Sequence, residues 1–314
     1  MARPSAVDGL TADTPLGEAA ARLTLARLGD VRRYQQAVLS RRGAADVHDM
    51  RVATRRLRAA LRLLPRGDAA EARAERLGRR VKRLQDALGE VRDLHVRIEL
   101  VTALRGELGP AAPGQALEAL LAEARSRLPD REQGLVSALG RWEMRTVPQL
   151  MAELEGLAHG GRLGGGRLVR RLGGELARVL RRARVALRTL DEVPTHALRI
   201  AAKRLRYQLE LVDTVVAGAP VLLAELVPLQ EVLGQLHDRD VLIGALEELA
   251  EQSVGQVKRD ALTTLAALAD RRAEQAAHVA GEIERLLESD LPRKLWLTTA
   301  PRLDAGGAGA GAAA

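Results

Sequence analysis

Two arginine-rich stretches, each opened by a histidine, hold the side chains of this sequence best suited to chemistry. Residues 47–64 read VHDMRVATRRLRAALRLL, and residues 195–212 read THALRIAAKRLRYQLELV. Aligned without a gap, they share His48/His196, Arg51/Arg199, Ala53/Ala201, Arg56/Arg204, Leu57/Leu205, Arg58/Arg206, Leu61/Leu209 and Leu63/Leu211, while Arg55 meets Lys203. Positions held in both copies have been constrained twice. At about 100° per residue, His48, Arg51, Arg55, Arg58 and Arg62 fall on one helical stripe about 80° wide, with Met50, Ala53, Leu57, Leu61 and Leu64 opposite. His196, Arg199, Lys203 and Arg206 repeat the stripe in the second copy. A solvated helix face normally mixes signs, with Glu placed against Lys or Arg at i,i+4. This face is almost purely basic over about three turns, so its charges repel unless a polyanion lies on them. A solvated basic face is the bland alternative, and the duplication argues against it.

A second repeat follows each stripe. Leu84–Val96 (LQDALGEVRDLHV) aligns with Leu229–Val241 (LQEVLGQLHDRDV), sharing Gln85/Gln230, Gly89/Gly234 and Asp93/Asp238 among others. Glycine inside a helix costs about 1 kcal/mol relative to alanine, so its recurrence predicts close packing against the basic helix. Asp93 and Asp238 are read as orienting or ion-pairing the arginines; two isolated aspartates make a thin metal site, and no metal is expected. His95, His159, His237 and His278 have no histidine counterpart in the repeat and are read as incidental. Arg79, Arg80, Lys82 and Arg83 form a basic run in the first half only, and Arg171 and Arg182 add to the secondary basic set.

The elements that must position these groups read as helices throughout. Residues 1–15 form a polar lead expected to be mobile. Residues 16–39 are helical, and Asp46, or the backbone just before it, is a reasonable N-cap for the first basic helix. Pro65 ends that helix. A long helix covers about 70–108, further helices cover 115–127 and 130–158, and Pro148 predicts a kink or break. The run HGGRLGGG at 159–166 is the strongest linker signal. An arginine-rich helix then occupies 167–190, Pro194 precedes the second basic helix, and helical segments continue to about 297. Residues 298–314, dominated by Gly and Ala, read as a disordered tail. The expected architecture is all-α: two similar helical bundles, 16–158 and 167–297, joined at the glycine-rich linker.

Composition bounds the function. The chain has 314 residues, 49 basic against 41 acidic, a net charge of +8 and a pI near 10.7. That balance suits nucleic acid, a membrane surface or a phosphate polymer. Only Lys82, Lys203, Lys258 and Lys294 are lysines; arginine offers the planar fork that meets phosphate bidentately. GC-rich codons would also favour Ala and Arg, yet they do not arrange a stripe. Cysteine is absent, which excludes disulfides, thiolate catalysis and Cys-ligated zinc. The lack of a charged-then-apolar leader and of an 18-residue apolar run predicts a cytoplasmic protein with no membrane partner. With no Phe, and only Tyr34, Tyr207, Trp142 and Trp296 as aromatics, base stacking on single-stranded nucleic acid is disfavoured.

The paired H-x-x-R-x-x-x-[RK]-R-L-R motifs, each followed by an L-G-x-x-x-D segment, resemble the CHAD family, the conserved histidine α-helical domain. The resemblance covers about residues 16–297. It implies two helical bundles related by a pseudo-two-fold axis, a shared basic concave surface, and non-catalytic binding of inorganic polyphosphate at polyphosphate granules, with the granule enzymes as further partners. Carried over by position, it implies contacts from His48, Arg51, Arg55, Arg56, Arg58, Arg62, His196, Arg199, Lys203, Arg204 and Arg206; Arg56 and Arg204 lie about 100° off the stripe centre. The E-x-E-x-K motif of the triphosphatase domain often fused to this family is absent. No cofactor is implied.

Polyphosphate carries charge without bases to read, so forks of donors at helical spacing suit it. Phosphates would draw His48 and His196 toward protonation while arginines push them away. If the phosphates dominate, binding strengthens below about pH 6.5. Two other classes compete. His48-Asp49 and His237-Asp238 suggest a metal-dependent phosphohydrolase of the HD type, but Asp49 becomes Ala197 and His237 becomes Arg92 in the sister copies. A non-specific nucleic-acid binder fits the charge, though no helix-turn-helix, zinc-finger or RNP pattern occurs; nucleic acid is expected only as a non-specific competitor. A scaffold with no polyanion ligand is the remaining option.

Overall fold

The computed structural model describes residues 4–10, 14, 16–41, 43–62, 68–109, 114–157, 165–213, 216, 218–291 and 293–294. The described residues are helical almost throughout: α1 Leu16–Arg41, α2 Ala44–Leu61, α3 Asp68–Leu108, α4 Gly114–Arg141, α5 Val147–Leu157, α6 Gly165–Thr189, α7 Glu192–Val212, α8 Ala219–Gln252 and α9 Gly255–Glu288. A π turn at Trp142–Thr146 joins α4 to α5 without a break. None of these helices is long and apolar enough to cross a membrane.

Several expected boundaries differ from the structure near prolines. Pro129 sits inside α4 on its exposed face, so water can reach the carbonyl its missing N–H leaves free. At Pro148 the chain widens instead of stopping, and Val147 N–H bonds to Trp142 O, one residue further back than in an α-helix. Pro194 lies in the first turn of α7, where its absent N–H is not needed. Asp46 is not the N-cap of α2: Gly43 holds that position without a side-chain cap, and Asp46 accepts from Arg41 at 3.0 Å. Pro65 and residues 158–164 of the glycine-rich run lie outside the described residues, as do residues 295–314; Gly165 and Gly166 already belong to α6.

The basic helices bury the face opposite their stripes. In α2 this face includes Met50, Ala53, Leu57 and Leu61, and in α7 Leu198, Ala201, Leu205, Leu209 and Val212. Each half packs its helices in the same order, α1 on α2 on α3 on α4 and α6 on α7 on α8 on α9, and α2 also packs directly on α7. The apolar interior does not divide at the glycine-rich run. One cluster takes side chains from both halves, Leu57, Leu88 and Leu139 together with Leu176, Leu205 and Leu229. A second lies where the α3–α4 and α8–α9 ends meet, around Leu104, Leu120, Leu246 and Leu268. The stripes are therefore held by one shared core.

Part of the lead is held down, against the expectation of mobility. Ser5 Oγ donates to Asp30 Oδ1 at 2.6 Å, Arg27 donates to the Ser5 carbonyl, and Val7 and Leu10 pack on the core. Arg27 and Asp30, only 4% and 2% exposed, form a 3.0 Å ion pair beneath it.

Candidate functional site

Packing α2 on α7 brings the two stripes together. Arg51 and Arg55 lie close enough to Arg199 and Lys203 for each side's charge to act on the other: Arg199 disfavours charge on Arg51, Arg55 does so on Arg199, and both Arg55 and Arg51 do so on Lys203. Burial is the larger cause in each case. It pushes Arg51 down to about 10, and burial with three neighbouring guanidiniums leaves Lys203 at about 7. Among the described residues, Arg55, Arg62, Arg199 and Lys203 have no carboxylate within 4 Å. Arg51 reaches Asp93 only at 3.9 Å, and Asp93 is 74% exposed.

A neighbouring cluster extends from the C-terminal end of α2. Burial first, then Arg204 and Arg58, lowers Arg62 to about 10, and Arg58 is lowered by burial, Arg204 and Arg55. Arg171 of α6 donates to the Arg62 carbonyl. Arg58 and Arg206 are steadied in the same way in the two halves, by Gln85 Oε1 at 2.9 Å and Gln230 Oε1 at 3.2 Å. Gln230 also donates to Ala202 O at 3.1 Å. Their role was within reach of the sequence, since Gln85 recurs as Gln230 and Gly89 as Gly234 at helical spacing, on one face of α3 and of α8.

The two off-stripe arginines hold the fold together. Arg56 Nε donates to Glu210 Oε2 at 2.9 Å, with both side chains largely buried, so this arginine ties α2 to α7. Arg206 shares the same carboxylate at 2.7 Å. Arg204 pairs with Glu175 Oε1 at 2.6 Å, and Arg178 takes the other oxygen at 2.9 Å. The repeat explains the asymmetry: the position of Glu210 in α7 is occupied by Arg62 in α2, so Arg204 faces a like charge and Glu175 supplies the counterion.

The histidines stand at the N-terminal ends of the stripes. Burial and Arg92 lower His48. His196 lies beside His237, Nδ1 to Nδ1 at 3.4 Å, with ring centroids 4.8 Å apart. Burial, Arg199, His196 and Lys203 push His237 to about 4, and burial with Arg199 lowers His196. In the free protein, burial and cations thus disfavour the protonated form of all three rings. The reading of His237 as incidental is overturned; Arg92 and His237 occupy one repeat position, and both approach their half's histidine. Arg92 is itself clasped by Glu99 at 2.9 and 3.0 Å. His95 is buried with Nδ1 unpartnered.

Asp238 favours the charged forms of Arg199 and Lys203, while burial raises its own pKa. The glycines do not serve close packing. A Cβ on Gly89 would sit 3.8 Å from the Arg51 guanidinium, an ordinary contact, and one on Gly234 would meet nothing within 4 Å. Of the first-half run, Arg79 pairs with Glu75 at 3.5 Å, Lys82 with Asp86 at 2.6 Å, and Arg80 reaches the Arg145 carbonyl and Gln149. Arg83 is exposed. By helical angle only Lys82 lies near the Gln85–Gly89 face. Arg182 is exposed on α6. Among the described residues, no three His, Asp or Glu side chains gather as they would around a metal ion.

This architecture matches a family model. The CHAD domain model aligns with residues 22–247. The chain belongs to the CHAD domain family. Two solved structures share its fold. The CHAD domain from the plant Ricinus communis is 24% identical, with a TM-score of 0.66, covering 90% of this chain and 95% of its own. PptA from Streptomyces chartreusis is 19% identical, with a TM-score of 0.57, covering 90% of this chain and 100% of its own. No curated protein matches.

Proposed function

We propose that this CHAD protein binds inorganic polyphosphate without cleaving it, through one site made by both halves, and acts in the cytoplasm at polyphosphate granules. The observation that carries the reading is the cation cluster at the α2–α7 contact. Arg51, Arg55, Arg199 and Lys203 are partly buried together; among the described residues Arg51 reaches a carboxylate only at 3.9 Å and the other three have none within 4 Å, an arrangement that raises the energy of the free protein. A polyanion laid on it would relieve the repulsion and supply acceptors to the guanidinium forks. Arg58 and Arg62 continue the cluster, and Gln85 and Gln230 hold Arg58 and Arg206 in orientation. The three site histidines add donors whose protonation a bound phosphate would favour. Base recognition finds little support, since among the Tyr and Trp side chains of the described residues only Tyr207 acts on Arg51 and Arg199.

The test is binding of long-chain polyphosphate with EDTA present and duplex DNA as competitor, beside a parallel incubation with Mg²⁺ or Mn²⁺ read for chain length. Tight, EDTA-insensitive binding that survives excess DNA, with chain length unchanged, is expected. Equal competition by DNA would make the surface a generic polyanion binder, and shortening of the polymer would make the protein an enzyme.

A further inference from the structure

The exposed face of α6 carries a basic surface that the central cluster does not use. Arg170, Arg181, Arg184 and Arg188 lie within an arc of about 60°, and all four are exposed. The only acidic residue of α6 is Glu175, 5% exposed and already engaged by Arg178 and Arg204. None of these four arginines, nor Arg182, has a carboxylate within 4 Å among the described residues.

Helix α1 is the internal control, because it packs on α2 as α6 packs on α7. It is also rich in arginine, yet each of its exposed arginines has a counterion: Arg22 with Glu18 at 3.3 Å, Arg32 with Glu143 at 2.8 Å, Arg33 with Asp30 at 3.2 Å and Arg41 with Asp46 at 3.0 Å. Codon bias would supply both helices with arginine and does not explain why only one is neutralised. The α6 face is also joined to the central cluster, since Arg171 bonds the Arg62 carbonyl and Arg178 shares Glu175 with Arg204.

We infer that the outer face of α6 is a track along which a long polyphosphate chain continues after leaving the α2–α7 cluster. From Arg170 to Arg188 the track runs about 27 Å, at 1.5 Å per residue. A flexible polymer of uniform charge can follow such a row without the fixed phosphate geometry of a duplex. The inference rests on the central cluster being a polyphosphate site, and it makes α6 the part of the protein that distinguishes long chains from short ones.

The experiment compares wild type, Arg181→Ala/Arg184→Ala/Arg188→Ala, and Arg22→Ala/Arg32→Ala/Arg41→Ala, which removes the same charge from α1. Each is titrated with tripolyphosphate and with long-chain polyphosphate over a range of salt. The α6 variant should bind tripolyphosphate as wild type does and lose about tenfold in long-chain affinity. Its log–log salt slope for the long chain should shrink by about 2, at about 0.7 for each phosphate no longer neutralised. The α1 variant should stay near wild type. Wild-type long-chain affinity in the α6 variant, or an equal loss in the α1 variant, would overturn the track and leave the central site standing. If wild type binds neither polymer, the functional reading falls and the track with it. Loss of duplex DNA or anionic-vesicle binding in the α6 variant, with long-chain polyphosphate binding intact, would assign the face to that other partner and also overturn it.

Discussion

Lys203 gives the sharpest consequence of the cluster. Burial, then Arg199, Arg55 and Arg51, brings its pKa from 10.5 to about 7 in the free protein, with Asp238 opposing. Phosphates laid on the cluster would reverse the electrostatic part of that shift, so binding should draw a proton onto Lys203. With a pKa of about 7, the free amine is about half protonated at pH 7 and about one-tenth at pH 8. If the bound amine is fully protonated, affinity should fall about fivefold from pH 7 to pH 8, with uptake of about 0.5 proton at pH 7 and about 0.9 at pH 8. The three site histidines, all lowered in the free protein, add to this uptake only as far as bound phosphate raises them, a share that Lys203→Arg leaves in place. The free protein carries the opposite sign. Between about pH 7 and 10.5 the folded state binds less proton at Lys203 than the unfolded chain does, so this group makes stability rise with pH there. The assay is isothermal titration with long-chain polyphosphate in buffers of different ionisation enthalpy, for wild type and Lys203→Arg. The arginine variant should bind with nearly constant affinity from pH 7 to 8. A flat wild-type profile, or the same slope in Lys203→Arg, would refute the reasoning.

Other substitutions separate folding from binding. Glu210→Ala removes the carboxylate that Arg56 and Arg206 share at the α2–α7 contact and should lower stability by about 1–3 kcal/mol, read as a fall in thermal midpoint. Glu175→Gln frees Arg204 and Arg178 from a buried carboxylate; polyphosphate affinity should rise severalfold while the unliganded protein melts earlier. Gly234→Ala places its methyl in open space and should stabilise α8 by about 0.5–1 kcal/mol in denaturant titrations, whereas a packing role for that glycine would make the change destabilising.

Much of the site was legible because helix periodicity is a local property. The stripe angles placed Arg51, Arg55 and Arg58 together, and the opposite residues Met50, Ala53, Leu57 and Leu61 are buried as that periodicity requires; Leu64 lies outside the described residues. What the pattern could not express was the other helix. Arg56 and Arg204 belong to the repeat for structural reasons, which emerge only when Glu210 and Glu175 are seen against them. His237 had no histidine counterpart, so sequence identity missed it, although Arg92 at the same repeat position also approaches a histidine. Pro148 misled for a related reason: a proline stops a helix where the freed carbonyl finds no partner, and Pro148, like Pro129 inside α4, faces water. Gly89 and Gly234 recur without a packing contact that requires them, and nothing else in the structure explains their recurrence.

The central claim is that two duplicated stripes make one site. Calorimetric titration of tripolyphosphate into wild type, Arg51→Ala and Arg199→Ala tests it most directly. One equivalent per protein molecule is predicted, with either substitution weakening that single isotherm by about tenfold or more, the scale of one charge-assisted hydrogen bond. Two equivalents in wild type, with each substitution removing one and leaving the other at full affinity, would contradict it.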